Sequence, residues 1–241
     1  MRGIVWLVLL LLILAPRVLA AQPAGEAPGA LEVEGATYAE LDEGSGLLTL
    51  RGSPVTVRRG AMTLRAPAIV YDTKQRMLRA SGGAAFADAT LSLEAAEATV
   101  WIAEDRLQAA GGVVATHGLG PDAIRLRAAR LEVLGRDRRA VATGAAEVTS
   151  RDATMTADRV EVALARDELI AEGNARLVRE DIVGRASRVV VRRAEDIAVL
   201  SGGAVVRQGQ NEARAETITV DLRRRRFTAS GHVSFVLHPG R

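Results

Sequence analysis

The residues best suited to proton transfer or metal ligation at neutral pH are three histidines, His117, His232 and His238. None stands at a metal-type spacing to a second ligand, and a chain without cysteine cannot build a thiolate zinc site. Acidic pairs such as Asp167-Glu168 and Glu180-Asp181 have the composition of a general acid–base dyad. They fall, however, where hairpin tips and inter-unit turns are read below, the ordinary place for solvated carboxylates. Serine and threonine are scattered, with no G-x-S-x-G elbow and no positioned base. No P-loop or G-x-G-x-x-G follows a strand and opens a helix, and Gly118-x-Gly120 is read as a loop coincidence. The expectation is a protein that is not an enzyme and takes no metal or cofactor. Arginine clusters remain: Arg58-Arg59, Arg136 with Arg138-Arg139, Arg192-Arg193, and Arg223 to Arg226. They are read either as solvated tips or as groups that capture phosphates on a lipid head group.

With no catalytic constellation, the informative feature is the scaffold. The chain has 241 residues, 48% hydrophobic, 25% charged and 3% aromatic. That excludes a disordered chain, and the lack of cysteine excludes a disulfide scaffold. Formal net charge is +3, but Arg2 and Arg17 lie in a segment expected to be removed. Without it the chain carries 30 basic and 29 acidic residues, and Lys74 is the only lysine. Such a balance gives no support to a nucleic-acid partner.

Residues 1–20 read as a secretory signal. Met1-Arg2-Gly3 is a short positive start, Ile4 to Ala15 is uninterrupted apolar sequence, and Val18-Leu19-Ala20 offers a cleavage site after Ala20. Twelve apolar residues at a helical rise span about 18 Å, short of the ~30 Å hydrocarbon slab. Residues 21–30 follow as a flexible lead-in, and 31–241 as the folded domain. Export without cysteine fits a bacterial periplasm.

That domain is one unit repeated seven times. Each unit opens on an alanine (Ala36, Ala66, Ala95, Ala128, Ala157, Ala186, Ala215) and closes 16 residues later on a glycine (Gly52, Gly82, Gly111, Gly144, Gly173, Gly202, Gly231). Successive glycines are 29 or 30 residues apart except for one step of 33, which passes through His117-Gly118-Leu119-Gly120-Pro121, an insertion read as a loop. Around each glycine apolar residues alternate with polar ones, as in Leu169, Ala171, Gly173, Ala175 and Leu177. That is the pattern of a half-buried antiparallel strand. The opening half slips phase once: Leu126 and Ala128 share a face, then Leu131 and Val133 take it over. A recurring one-residue slip marks a bulge or corner. Glu104-Asp105, Glu195-Asp196 and Arg224-Arg225 are expected at hairpin tips.

The expected fold is therefore all-β, an elongated, open (V-shaped) antiparallel β-jelly-roll of about seven repeated hairpins. A closed β-helix is the alternative. Fourteen strands at ~4.8 Å give a stack roughly 65 Å long. Phe86, Phe227 and Phe235 are assigned inward, Trp101, Glu161 and Thr219 outward. The small inward residues, Gly and Ala, are read as letting two layers approach, or as leaving a trough for something apolar.

The stretches Met155 to Val162 and Leu169 to Leu177 resemble the repeat of the OstA/LptA-type family of periplasmic lipopolysaccharide-transport proteins. The resemblance runs from Ala36 to about Phe235. It implies a β-jelly-roll that moves lipopolysaccharide or a related glycolipid between inner and outer membranes through an apolar groove. The signal segment in place of an anchor favours the soluble bridge member. Partners implied are other jelly-roll proteins of the bridge, joined by edge-strand pairing, with head-to-tail self-association as a further outcome. The unpaired edges fall near Leu31 to Ala36 and His232 to Leu237. The inward residues expected to touch acyl chains are Ile69, Leu78, Phe86, Leu93, Val100, Leu107, Val113, Leu126, Leu131 and Val133, with Val160, Val162, Leu169, Leu177, Val189, Val191, Ile218, Val220, Phe227 and Val233. The rival is a structural or adhesive β-solenoid whose core is fully packed and holds no ligand.

Overall fold

The computed structural model describes residues 30–238. The expected signal, its cleavage site and all of the lead-in but Ala30 lie outside the described residues. Among the described residues no helix is long and apolar enough to cross a membrane.

Alternating apolar and polar residues give strand after strand. They are β1 (Glu32–Asp42), β2 (Leu47–Arg59), β3 (Met62–Asp72), β4 (Met77–Ala87), β5 (Leu91–Trp101), β6 (Arg106–His117) and β7 (Ile124–Leu134). Then follow β8 (Arg139–Thr149), β9 (Ala153–Ala163), β10 (Glu168–Arg179), β11 (Ile182–Arg192), β12 (Ile197–Gln208), β13 (Asn211–Asp221), β14 (Arg226–Ser230) and β15 (Ser234–Val236). Each strand pairs antiparallel with its neighbours in sequence, from β1 through β14, in one open sheet. The insertion after His117 is a loop with one 3₁₀ turn at Gly120–Asp122. The expected open, all-β array of hairpins is what the chain forms. The last strand is split: β14 pairs with the second half of β13 and β15 with its first half.

Each strand from β1 to β13 breaks register in its middle. The register of β7 with β8 jumps between Arg127 and Arg130, and equivalent jumps recur from β2–β3 through β12–β13. On the partner strand the jump is absorbed by two left-handed residues, for example Gly144 and Ala145 or Gly173 and Asn174. The closing glycines are therefore corner residues, and the assignment of them to the inner face is corrected: Gly82, Gly111, Gly144, Gly202 and Gly231 are exposed. The interior face of the corner is instead a ladder of alanines. Ala84 pairs with Ala95, Ala146 with Ala157, Ala175 with Ala186 and Ala204 with Ala215, all buried. A methyl is the side chain that fills the narrow vertex of a folded sheet without forcing it open. The 16-residue spacing follows: the alanine and the glycine belong to adjacent strands of the same corner.

The corner gives each strand two arms. One arm runs to a hairpin tip, such as 102–105 or 193–196, and the other to an inter-unit turn, such as 150–152 or 180–181. The tips are stitched by one backbone hydrogen bond from each to the next: Gly135 N–H to Asp105 O at 2.8 Å, Leu164 to Arg138 at 2.9 Å, Arg193 to Asp167 at 3.0 Å and Leu222 to Asp196 at 2.8 Å. The facing surfaces of the two arms are apolar and bury one continuous core from Leu50 to Leu222. Burying one such Val or Leu side chain contributes about 1.5–3 kcal/mol, and each unit shares its layer with the next, so stability is distributed along the stack.

At the ends the interior face loses its cover. Every residue of β1 is exposed, although Val33 lies opposite buried Val57 and so shares its face. At the other end Phe235 lies opposite buried Ala213 yet is 51% exposed. Phe227 is half-buried. Val233, expected inside, sits in the break between β14 and β15 and is 45% exposed. Among the described residues no further layer covers it.

Candidate functional site

The site is the mouth of the folded sheet, where tips face inter-unit turns. Two adjoining clefts lie along it and share Arg193. The larger has a volume of about 750 Å³. Its turn-side wall is Met62, Phe86, Leu91, Ala115, Ile124 and Leu126, and its tip-side wall Val100, Leu107, Leu131, Val133, Val162 and Leu164. The smaller, about 390 Å³, has Val148, Met155 and Leu177 facing Leu169, Val191 and Leu222.

Both clefts have an apolar floor and a charged rim. Around the larger one stand Arg59, Arg106, Arg138 and Arg193 with Asp88, Asp105 and Asp167. Trp101, expected to face outward, is half-buried and contributes to this rim, with the Arg106 guanidinium 4.4 Å from its ring centroid. A guanidinium stacked on an indole keeps its in-plane N–H donors free for other acceptors. Arg106 spends one on Glu132 at 2.9 Å and Arg193 spends one on Asp167 at 2.9 Å. Around the smaller cleft stand Asp122, Arg151, Asp152, Arg179 and Asp196.

The twenty residues expected to touch acyl chains divide by depth. Phe86, Val100, Leu107, Leu126, Leu131, Val133 and Val162 line the larger cleft; Leu169, Leu177 and Val191 line the smaller. Ile69, Leu78, Leu93, Val113, Val160, Val189, Ile218 and Val220 are packed beneath, out of reach of the clefts. Phe227 and Val233 sit at the C-terminal end, as described. The sequence reading missed Met155, which occupies the same place in its unit as Leu126, two residues before the opening alanine, and could have been found by that register. It also missed Leu222 and the wall residues Met62, Leu91, Ala115, Ile124, Val148 and Leu164.

The outer face carries the charge. Glu161 points away from the core, as expected, but is not in solvent. It is 8% exposed beneath two arginines, with Arg139 Nη2 donating at 2.8 Å and Arg159 Nη2 at 3.1 Å. Burial pushes its carboxyl up, yet these hydrogen bonds outweigh burial and hold it below the usual glutamate value. The row continues through Arg159 to Glu172 and on to Arg188, across four strands. Among the described residues no group of three or more His, Cys, Asp or Glu could hold a metal.

Comparison with known proteins gives three findings. The family model of the LptA/(LptD N-terminal domain) LPS transport protein matches residues 125–226, from β7 into β14 and somewhat less than half of the chain. This match supports the OstA/LptA-type resemblance carried by the repeat. Among solved structures, LptH, the LptA-homologous periplasmic component of the lipopolysaccharide transport device from Pseudomonas aeruginosa, is 19% identical with a TM-score of 0.47, over 48% of this chain and 95% of that one. No curated protein matches the sequence.

Proposed function

We propose that this chain, whose residues 125–226 match the LptA/(LptD N-terminal domain) LPS transport family, is a periplasmic carrier of lipopolysaccharide or a related glycolipid. The observation that carries the reading is the apolar mouth of the folded sheet, with ten of the expected contact residues on its two walls. Each buried methylene contributes about 0.8 kcal/mol, so a twelve-carbon chain standing in water costs on the order of 10 kcal/mol. A trough of Phe86, Leu126, Leu131, Val162 and Leu169 offsets that cost without a covalent step, and the arginines of the rim lie where phosphates of a head group would meet them.

The ends supply continuity. Among the described residues β1 pairs with a strand on one side, β2, and β14 with β15 form the other, split end of the sheet. Beside those edges Val33, Leu41, Phe235 and Leu237 are exposed. A like fold docking by strand addition would satisfy the free backbone groups and cover that apolar surface in one step. The trough would then run from one protein into the next.

The test is photo-crosslinking in cells with a probe amino acid at Leu126, Val133 and Leu169. Lipid should be captured there, and not at Thr219 or at Val114, an apolar residue exposed on the outer face. Equal labelling of both sets overturns the reading. One observation favours the rival of a packed structural array: Val160, Val189 and Ile218 are wholly buried. Mass spectrometry of the purified protein separates the two, since a purely structural array co-purifies with no glycolipid.

A further inference from the structure

The mouth of the sheet is not the same along its length. Along most of it runs the pair of clefts, the smaller of which is bounded toward the last two units by Arg179, Asp196 and Leu222. There charged side chains cross the mouth. Arg179, at the turn end of β10, donates to Asp196 at the tip of the β11–β12 hairpin at 3.2 Å and to Asp152 on its own lip at 2.8 Å. Arg223, from the next tip, holds the other oxygen of Asp196 at 2.9 Å. Arg225 reaches from that tip to the β10–β11 turn, bonding Glu180 at 3.0 Å and also Asp181. With its amide oxygen turned toward the guanidinium, Gln208 accepts two further bonds from Arg225, at 2.9 and 3.0 Å. Tip and turn are thus tied at two places, by residues 17 and about 45 apart in sequence.

The side chains behind these ties are also smaller. Two residues before the opening alanine stand Leu64, Leu93, Leu126 and Met155 in successive units, but Gly184 and Ala213 in the last two. Leu126 and Met155 line the clefts. At Gly184 a Cβ would lie 2.5 Å from Cδ2 of Leu200, which reaches over from the opposing arm. Large side chains at this place line the clefts in two units, and behind the ties a glycine leaves its space to a leucine.

We propose that Arg179–Asp196–Arg223 and Arg225 with Glu180 and Asp181 form a latch across the mouth. A glycolipid held in the clefts then advances toward β14 only when these pairs part. The inference rests on the carrier reading above and adds its regulation. Partly exposed ion pairs are weak, salt-screened and reversible. They can close a groove without sealing it.

The latch can be tested without lipid. The chain has no cysteine, so spin labels can be placed uniquely at Gln210→Cys and Arg224→Cys, exposed positions on opposite lips beside the latch. A second labelled pair, Ala89→Cys with Glu104→Cys, spans the open mouth and is the control. Pulsed dipolar spectroscopy of the full folded domain should give a short, narrow distance for the first pair. Combining Asp196→Asn with Arg225→Gln should raise the long-distance population about tenfold, the effect of removing a few weak pairs. The control pair should not change. Raising salt on the unsubstituted latch should shift the same distribution in the same direction, which keeps the test alive if the double variant folds poorly. An unchanged distribution in a folded double variant, or one indifferent to salt, overturns the latch. Neither result depends on crosslinking of lipid in the clefts, so loss of the latch and loss of the carrier reading are separate outcomes.

Discussion

The corner that folds the sheet can be tested residue by residue. Gly111 has φ +82°, and a Cβ built on it would lie 2.5 Å from the Cβ of Ala96 on the adjacent strand. Gly82 has φ +83°, the same conformation in the previous unit, but its Cβ would meet Pro67 at an ordinary 3.5 Å. Gly82→Ala should therefore cost only the left-handed penalty, about 1–2 kcal/mol. Gly111→Ala should cost that plus a steric term of about 1–3 kcal/mol. Removing the obstacle should return that steric term: in an Ala96→Gly background, Gly111→Ala should fall back to the Gly82→Ala value. The next residue in the corner gives an internal control. Gly112 has open space around it, and its equivalents Ala145 and Asn174 carry side chains at φ near +50°. Gly112→Ala should cost the same left-handed penalty as Gly82→Ala, about 1–2 kcal/mol, with no steric term. Urea unfolding of the five variants, analysed as a double-mutant cycle, reads these differences directly. If Gly82→Ala and Gly111→Ala cost the same, or if Ala96→Gly fails to rescue, the contact is not what makes the closing residue a glycine.

Two further outcomes are expected. Glu161 is held below the usual glutamate value near 4.5, so its contribution is complete at neutral pH and is lost as pH falls through its depressed folded-state value; Glu161→Gln should cost about 1–3 kcal/mol at pH 7 and flatten the acid limb of a melting-temperature profile, and an unaltered limb would refute the assignment. Deleting 234–241 removes β15 and the exposed Phe235 from the last edge, so sedimentation should show loss of concentration-dependent assembly with the monomer's far-ultraviolet dichroism preserved; assembly at unchanged strength would rule out pairing through that edge.

What could be read from the sequence was whatever repeats. The alanine-to-glycine spacing, the alternation of faces and the phase slip after each opening alanine are local patterns, and all three correspond to elements of the fold. Fifteen of the sixteen non-terminal contact residues from Ile69 to Val191 are buried, and Val133 is half-buried. What could not be read depends on where the repeat stops or on the third dimension. The closing glycines look apolar by alternation, yet two left-handed residues turn the chain there and leave them outside. Val233 and Phe235 obey the pattern of inner residues and are exposed because no strand among the described residues covers them. Glu161 sits at an outward position, but long arginine side chains from two strands lie over it. The latch was hidden for a different reason. Glu180-Asp181 and Arg223 to Arg226 were each recognised as charged turns, but their meeting follows only once strands are bent and the two lips face each other.

The stitching of tip to tip and the ladder of alanines have a consequence for how such a molecule can change. Each unit hands the chain on at the place where it received it, in the same register and on the same face. Residues 153–181, which hold β9, β10 and the turn that follows, could be excised or duplicated and every remaining strand would still find a partner of matching pattern. Two strands at ~4.8 Å apiece set the increment at about 10 Å. The length of the folded sheet is thus counted out in whole units, and evolution can lengthen or shorten it by copying a stretch of sequence without redesigning a joint.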